Sequence, residues 1–428
     1  MRGLGVVCAV VVAGVAGAVG GLARGQATGP AGTLPRLDYD VRGWKHRDFA
    51  VFDPTFEKDL AARVARVMPL VQQVIDREKA GQNTELSHQL LVETLWLISA
   101  TADFKEIDKE MDELVALQAH PEREKQAEEE DPRDGSWGIG YDRWFLKLRA
   151  TYPRLEKAKY PLHFIDRINS PEKLSDYLKS VEVSDIARTG VDNEEEYNES
   201  LSDVMRMILR HNPDDYAYDP GLKDRLMELL LHELRDPATG YWGEKYIHDG
   251  KAEFVDDLSI TFHVVSYLNG DVPDMDKVVA TTLAAEDMEF PVGPLYKGQR
   301  YDHLNMDVAE IFRLGWAKAS AEQKRAMAAE LDKLLTFCLT ESLQPDGSFK
   351  MWVGDFSKEE STYYGASFLG RIGYFDKSKR FWTDREFPDA EKVRQKILAY
   401  IRAHMDSGAT GGEYYRGALE SLGEKVGK

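Results

Sequence analysis

Tyr301-Asp302-His303-Leu304-Asn305 sets a phenol, a carboxylate, an imidazole and a carboxamide within five residues, and Asp307 follows His303 by one helical turn. These types suit β-elimination from a uronate. Asn, His or Arg can neutralise the sugar carboxylate so that the C5 proton becomes acidic. Tyr or His can take that proton and supply another to the leaving oxygen. His263 and Tyr267 repeat the i, i+4 spacing on a second apolar stretch, and Tyr363, Tyr364 and Arg371 offer phenols and a guanidinium on a third. The candidate catalytic set is therefore His263, Tyr301, His303, Asn305, Tyr363 and Arg371. Trp242, Asp256, Asp257, Tyr267, Trp352 and Tyr364 form the candidate substrate-binding set, because tryptophan faces fit the CH face of a pyranose. A weaker fourth group is Trp137 with Tyr141, Asp142 and Arg143.

The same residues fit other chemistry and plain structural roles. Asp256 or Asp257 with Asp302 or Asp307 would supply the two carboxylates, about 5 to 10 Å apart, that glycoside hydrolysis needs. His263, between Phe262 and Val264, also suits a hydrogen-bonded core histidine. Asp302 or Asn305 could cap a helix, and Trp242 and Trp352 could staple turns onto the core. His248, Asp249, Asp256 and Asp257 lack a ligand spacing, so no metal site is expected. No phosphate loop, dinucleotide fingerprint, Cys-x-x-Cys or nucleophile elbow occurs, so no cofactor is expected.

Helices must carry these groups. Leu60, Val64, Val67, Met68, Val71 and Val74 recur at three- and four-residue steps. Similar stripes run over 90–98, 201–209, 226–234, 278–283, 327–339 and 393–401, whereas strand-like alternation is scarce. Asp131-Pro-Arg-Asp-Gly-Ser-Trp137, Asp236-Pro-Ala-Thr-Gly-Tyr-Trp242 and Gln344-Pro-Asp-Gly-Ser-Phe349 punctuate the pattern with proline, glycine and a returning aromatic. Thr261-Phe-His-x-x-Ser-Tyr-Leu268 lines up with Thr362-Tyr-Tyr-x-x-Ser-Phe-Leu369 at an offset of 101 residues. A repeat of roughly 50 residues follows, a long helix, a turn and a shorter helix. Shorter helices are expected near His88, Tyr141, Glu196, Asp257, His303 and Ser361. The expected fold is all-α, an α/α toroid of about six hairpins over 46–428, with an open helical solenoid as the alternative. The acidic run Glu122–Asp131 reads as a solvated loop, and Cys338, between Phe337 and Leu339, as core.

The Gln344–Phe349 turn followed by Thr362-Tyr363-Tyr364 resembles the repeat of α/α-toroid proteins, most clearly over 223–374. That superfamily includes terpenoid cyclases, protein prenyltransferases, polysaccharide lyases and unsaturated-glycuronyl hydrolases. Gly240-Tyr-Trp-Gly243 with Asp257-Leu-Ser-Ile-Thr-Phe-His263 is also similar to a group of exported proteins. The resemblance implies the ring fold and a cleft at the inner helix starts. The acidic motifs of the cyclases and the zinc ligands of the prenyltransferases have no counterparts here, which leaves sugar polymers as the implied substrates.

The first residues agree with an extracytoplasmic setting. Met1-Arg2, an apolar run from Leu4 to Val19 and Gly25-Gln26-Ala27 together fit a signal peptide over 1–27. An uncleaved anchor is the alternative, and the only membrane contact expected. Residues 28–45 read as a Gly/Pro/Ala/Thr-rich tether. Cleavage would remove two arginines and no acid, taking the net charge from −19 to −21. Such acidity opposes phosphate backbones, so nucleic acid is not an expected partner. Only Cys338 would remain, which excludes an intramolecular disulfide.

Overall fold

A computed structural model describes residues 55–210, 218–248, 250–352, 357–405 and 412–424. The leader and tether expected over 1–45 and Asp249 lie outside the described residues. The fold is mostly helical, as the apolar stripes require. Among the described residues no helix is long and apolar enough to cross a membrane.

The described residues begin with an N-terminal helical unit of α1 (Phe56–Lys79), α2 (Glu85–Ala100) and α3 (Phe104–Gln118), whose core Phe145 and Leu146 of the next helix join. These helices pack on one another around Leu91, Leu95, Ile107 and Met111, each fully or almost fully buried. The Asp103 side chain caps α3 by accepting from the Glu106 N–H at 3.0 Å, satisfying one of the donors that a helix start leaves open. Part of the acidic run is structural here, not a solvated loop. Residues Pro121–Glu128 form a 3₁₀ helix. The buried Glu124 accepts from the Ser87 N–H at 2.9 Å and pairs with Arg77 at 3.0 Å, so its charge is compensated.

The larger part follows. Its helices are α4 (Trp144–Thr151), α5 (Pro171–Val181), α6 (Ile186–Thr189), α7 (Glu194–Met205), α8 (Leu222–Glu228), α9 (Leu258–Tyr267) and α10 (Met275–Ala284). They continue with α11 (Asp302–Gly315), α12 (Ala321–Phe337), α13 (Lys358–Arg371), α14 (Ala390–Met405) and α15 (Gly412–Ser421). Six of them pack in succession, α4 on α7, α7 on α9, α9 on α11, α11 on α13 and α13 on α15. Helices α5 and α8 pair with each other, as do α10 and α12, while α14 backs α15. The sequence places five of the six successive helices within a few residues. It misassigns the helix at His88, which belongs to the N-terminal unit, and omits α15.

The repeat is physical, because the same hydrogen bonds recur at each turn. The N–H of Asp131, Asp236 or Gln344 donates to the carbonyl of Ser136, Tyr241 or Ser348, and a glycine at positive φ (Gly135, Gly240, Gly347) turns the chain. The aromatic that follows is then held by a hydroxyl on the next helix of the succession. Thr151 accepts from the Trp137 N–H at 2.9 Å and Thr261 from the Trp242 N–H at 3.0 Å. Both threonines return a bond to the same residue's carbonyl at 3.3 Å. In the third turn Ser361, one residue before the aligned Thr362, donates to the Phe349 carbonyl at 3.4 Å. Gly365 is required beneath that aromatic, since a Cβ there would meet the Phe349 ring at 2.1 Å.

Short strands depart from the all-helical expectation. β1 (Val183–Ser184), β2 (Trp242–His248) and β3 (Lys251–Asp257) form a sheet in the order β1-β2-β3, parallel then antiparallel. Gly243 lies where a Cβ would meet the Val255 carbonyl oxygen at 1.9 Å, so the hairpin needs glycine there. β4 (Leu295–Tyr296) and β5 (Gln299–Arg300) make a second small hairpin leading into α11.

Candidate functional site

Aromatic, imidazole and charged groups of the successive helices face one another. On α11 and α13 the His303 and Tyr364 rings stack at 3.9 Å with 6° between planes. The Tyr301 ring meets His303 edge-on at 5.8 Å. On α9, His263 stacks with Tyr267 at 6.0 Å, and the Ser202 hydroxyl lies 3.5 Å from its Nδ1. His303 is close enough for its charge to act on His263. Glu360, buried on α13, accepts from the Tyr364 hydroxyl at 3.1 Å and from the Tyr414 hydroxyl of α15 at 3.4 Å. Gly417 makes this approach possible, because a Cβ there would meet the Tyr363 ring at 2.7 Å.

Three guanidiniums belong to the same region. Arg149 of α4 pairs with Glu199 of α7 at 2.7 Å. Arg206 pairs with Asp203 at 3.3 Å and donates to the Tyr267 hydroxyl at 2.9 Å. Arg371 of α13 lies 3.9 Å from Glu310, while its Nη1 is buried with no hydrogen-bond partner among the described residues. Arg149 and Glu199 also act electrostatically on Tyr414 of α15.

Burial sets the protonation states. Desolvation lowers His263 to about 3, and Arg206, His303, Arg149 and Arg371 add to the effect. Desolvation alone lowers His303 to about 4. Both imidazoles are therefore neutral near pH 7, the form that can accept a hydrogen bond or a proton. Asp203 is raised to about 6 by desolvation. Asp307 is raised well above the carboxylate range, again by desolvation, with Asp257 and Glu310 adding and Arg371 opposing. Neither Asp307 oxygen has a hydrogen-bond partner among the described residues. The carboxylate therefore makes no bond to His303, contrary to the i, i+4 expectation.

Several sequence candidates lie elsewhere. Trp242 is fully buried, and its indole N–H donates to the Leu230 carbonyl at 2.7 Å, so its ring packs in the core. Trp352 leans on Phe337 at 5.2 Å, with the Lys350 ammonium 3.7 Å from its ring centre, on the α12 side. Asp256 is buried and accepts from Thr239 at 2.9 Å. Asp257 caps α9 by accepting from the Ile260 N–H at 2.8 Å. Asp302 does not cap α11. It lies buried beside Ser342 and Asn305, and desolvation raises it to about 7. Asn305 is fully buried. Trp137 is buried in its turn, and the Asp142 and Arg143 N–H groups donate to Glu93 of α2, which turns the fourth group towards the N-terminal unit. Tyr363 packs against α15 beside Tyr414 at 5.9 Å.

Thus His263, Tyr267, Tyr301, His303, Tyr363, Tyr364 and Arg371 come together, with Asp307 buried near Arg371 and Asp257, whereas Trp242 and Trp352 lie elsewhere. Arg149, Glu199, Asp203, Arg206, Glu360 and Tyr414 were missed in the sequence. Only their helical spacing could have found them, since Glu199, Asp203 and Arg206 recur at steps of four and three. A shallow groove of about 270 Å³ between α12 and residues 374–389 holds none of these groups. Glu106, Glu110 and Asp142 cluster near the surface of the N-terminal unit with Lys109 among them, which neutralises part of their charge. Comparison with protein-family models, curated proteins and solved structures finds no match to this chain.

Proposed function

We propose that this protein is an exported enzyme that cleaves uronate-containing polysaccharide by β-elimination, using a site enclosed by the six successive helices closed into an α/α toroid. The observation that carries the reading is the convergence of two neutral imidazoles, several phenols and Arg149, Arg206 and Arg371 on facing helices. A guanidinium against the sugar carboxylate lowers the cost of the enolate-like charge that develops as C5 loses its proton. The buried Nη1 of Arg371 has no hydrogen-bond partner among the described residues, which leaves a donor unused beside the imidazoles. The parallel His303 and Tyr364 rings cover one face of each other, and an uncharged outer face of that stack would suit a pyranose, in place of Trp242 and Trp352. The reading of a closed ring draws support from Tyr414 lying near enough to Arg149 and Glu199 for their charges to act on its phenol. Export rests on the pattern of residues 1–27.

Glycoside hydrolysis is the weaker reading. Asp256, Asp257 and Asp302 hold structural bonds, and Asp307 is fully buried, so no accessible carboxylate pair comes from the expected residues. The test is incubation of the protein lacking residues 1–27 with a panel of uronate-containing glycans. A C4–C5 double bond absorbing in the near ultraviolet is expected. New reducing ends without that absorbance would support hydrolysis, and retention of glycan with neither product would make the protein a binder. Arg371→Gln should weaken turnover by about 10- to 100-fold, the scale of losing one charged hydrogen bond in the transition state.

A further inference from the structure

A second group able to accept a proton lies beside the imidazoles. Tyr414 is the phenol of this cluster most open to solvent, at 36% exposure. Its hydroxyl points to the Glu360 carboxylate at 3.4 Å, and Glu360 is only 2% exposed. The same Glu360 oxygen accepts from Tyr364 at 3.1 Å, which fixes the carboxylate between α13 and α15. Arg149 has a side chain 56% exposed and a link to Tyr414 through the electrostatics of the site. An exposed phenol backed by a buried carboxylate therefore shares a region with an exposed guanidinium that Glu199 holds in place at 2.7 Å.

We infer that Tyr414 and Glu360 form the proton-accepting pair of the site, acting on a uronate whose carboxylate is held by Arg149. This assignment rests on the lyase reading given above. The phenol oxygen takes the C5 proton while its own proton passes to Glu360. The C5–H electron pair forms the C4–C5 double bond, the C4–O bond breaks, and the leaving oxygen takes a proton from water. The phenol is neutral again at the end of the step, and Glu360 returns its proton to solvent after release. Tyr414 touches the reacting atom and is a catalytic residue. Glu360 acts through Tyr414 and is a positioning residue and proton sink. Burial and the neighbouring Glu360 both raise the Tyr414 phenol, so it does not ionise on its own and depends on a partner that removes the proton in the same step.

The experiment measures kcat and KM for Tyr414→Phe, Glu360→Gln and Glu360→Asp on whichever uronate glycan the wild type cleaves, with thermal melts as a folding control. Tyr414→Phe is expected to lower kcat by at least about 100-fold with KM within about threefold, the scale of general base catalysis. Glu360→Gln should lose nearly as much, and Glu360→Asp should recover part of it, which a purely structural glutamate would not do. A deuterium isotope effect from C5-labelled substrate should grow in Glu360→Asp, because proton removal becomes more fully rate-limiting. Turnover by the wild type with Tyr414→Phe within threefold of it overturns this assignment and leaves the lyase reading standing. No turnover of any uronate glycan by the wild type overturns the lyase reading, and this assignment falls with it.

Discussion

Replacing Thr261 by valine removes one oxygen and keeps the side-chain shape. That oxygen accepts from the Trp242 N–H at 3.0 Å and donates to the Trp242 carbonyl at 3.3 Å, and both residues are fully buried. No water can replace the lost acceptor without opening the core. An unsatisfied buried N–H costs about 1–3 kcal/mol, more than the loss of an exposed hydrogen bond. We expect Thr261→Val to destabilise the protein by about 2 kcal/mol, and Thr151→Val by a similar amount, because its bonds to Trp137 have nearly the same lengths. Ser361→Ala should cost less than about 1 kcal/mol, since its contact is one bond of 3.4 Å to a carbonyl. Denaturant unfolding of each variant, followed by circular dichroism, measures the change at constant slope. An effect below about 0.5 kcal/mol for Thr261→Val, or a larger one for Ser361→Ala than for Thr151→Val, would refute the view that one hydroxyl clamp is reused along the chain.

The pH dependence should carry opposing contributions. Asp302, raised to about 7, is neutral in the fold, so its contribution is complete below the ordinary aspartate range and is lost as pH rises through about 7. Asp302→Asn should therefore gain stability relative to wild type at pH 8 compared with pH 4, by an amount on the order of a few kcal/mol, read from melts across pH. His263, lowered to about 3, contributes stability above the ordinary histidine range that is lost as pH falls below about 6.5. In His263→Gln that loss on acidification should be smaller, and an unchanged slope between pH 4 and 6 would contradict the burial of a neutral imidazole. Glu124→Gln should destabilise the N-terminal unit by about 1–3 kcal/mol, because it removes the charge that pairs with Arg77 and weakens the bonds to Ser87, and proteolysis should then begin there.

How much was legible follows from what each residue depends on. The apolar stripes and the Pro-Gly turns report local geometry, so most of the helices and all three turns could be read from spacing. The β2–β3 hairpin escaped because its burial runs from exposed to buried along β3 and does not alternate. The helix near His88 carries the correct apolar pattern, yet the pattern does not say which neighbour the helix meets. It meets α1 and α3. Helix α15 was missed because its buried face, with Tyr415, Ala418, Leu419 and Leu422, is short and lies close to the chain end.

The site was half legible for the same reason. Histidines and tyrosines are scarce enough to draw notice, and His263, His303, Tyr301 and Tyr364 do converge. Their working partners are common charged residues on helix faces, where one Glu or Arg looks like any other until the helices are packed. Glu360 illustrates the point: beside Glu359 at the start of α13 it looks like an ordinary first-turn acid. Only the approach of α15, which Gly417 permits, turns it into a buried carboxylate shared by two phenols. Trp242 shows the converse. Its position after a turn glycine suggested an open stacking face, but the Thr261 clamp and the Leu230 carbonyl use both of its N–H groups to hold it inside. In this fold the turn aromatics fix the successive helices in place, and the imidazoles, phenols and guanidiniums of the candidate site project from those helices.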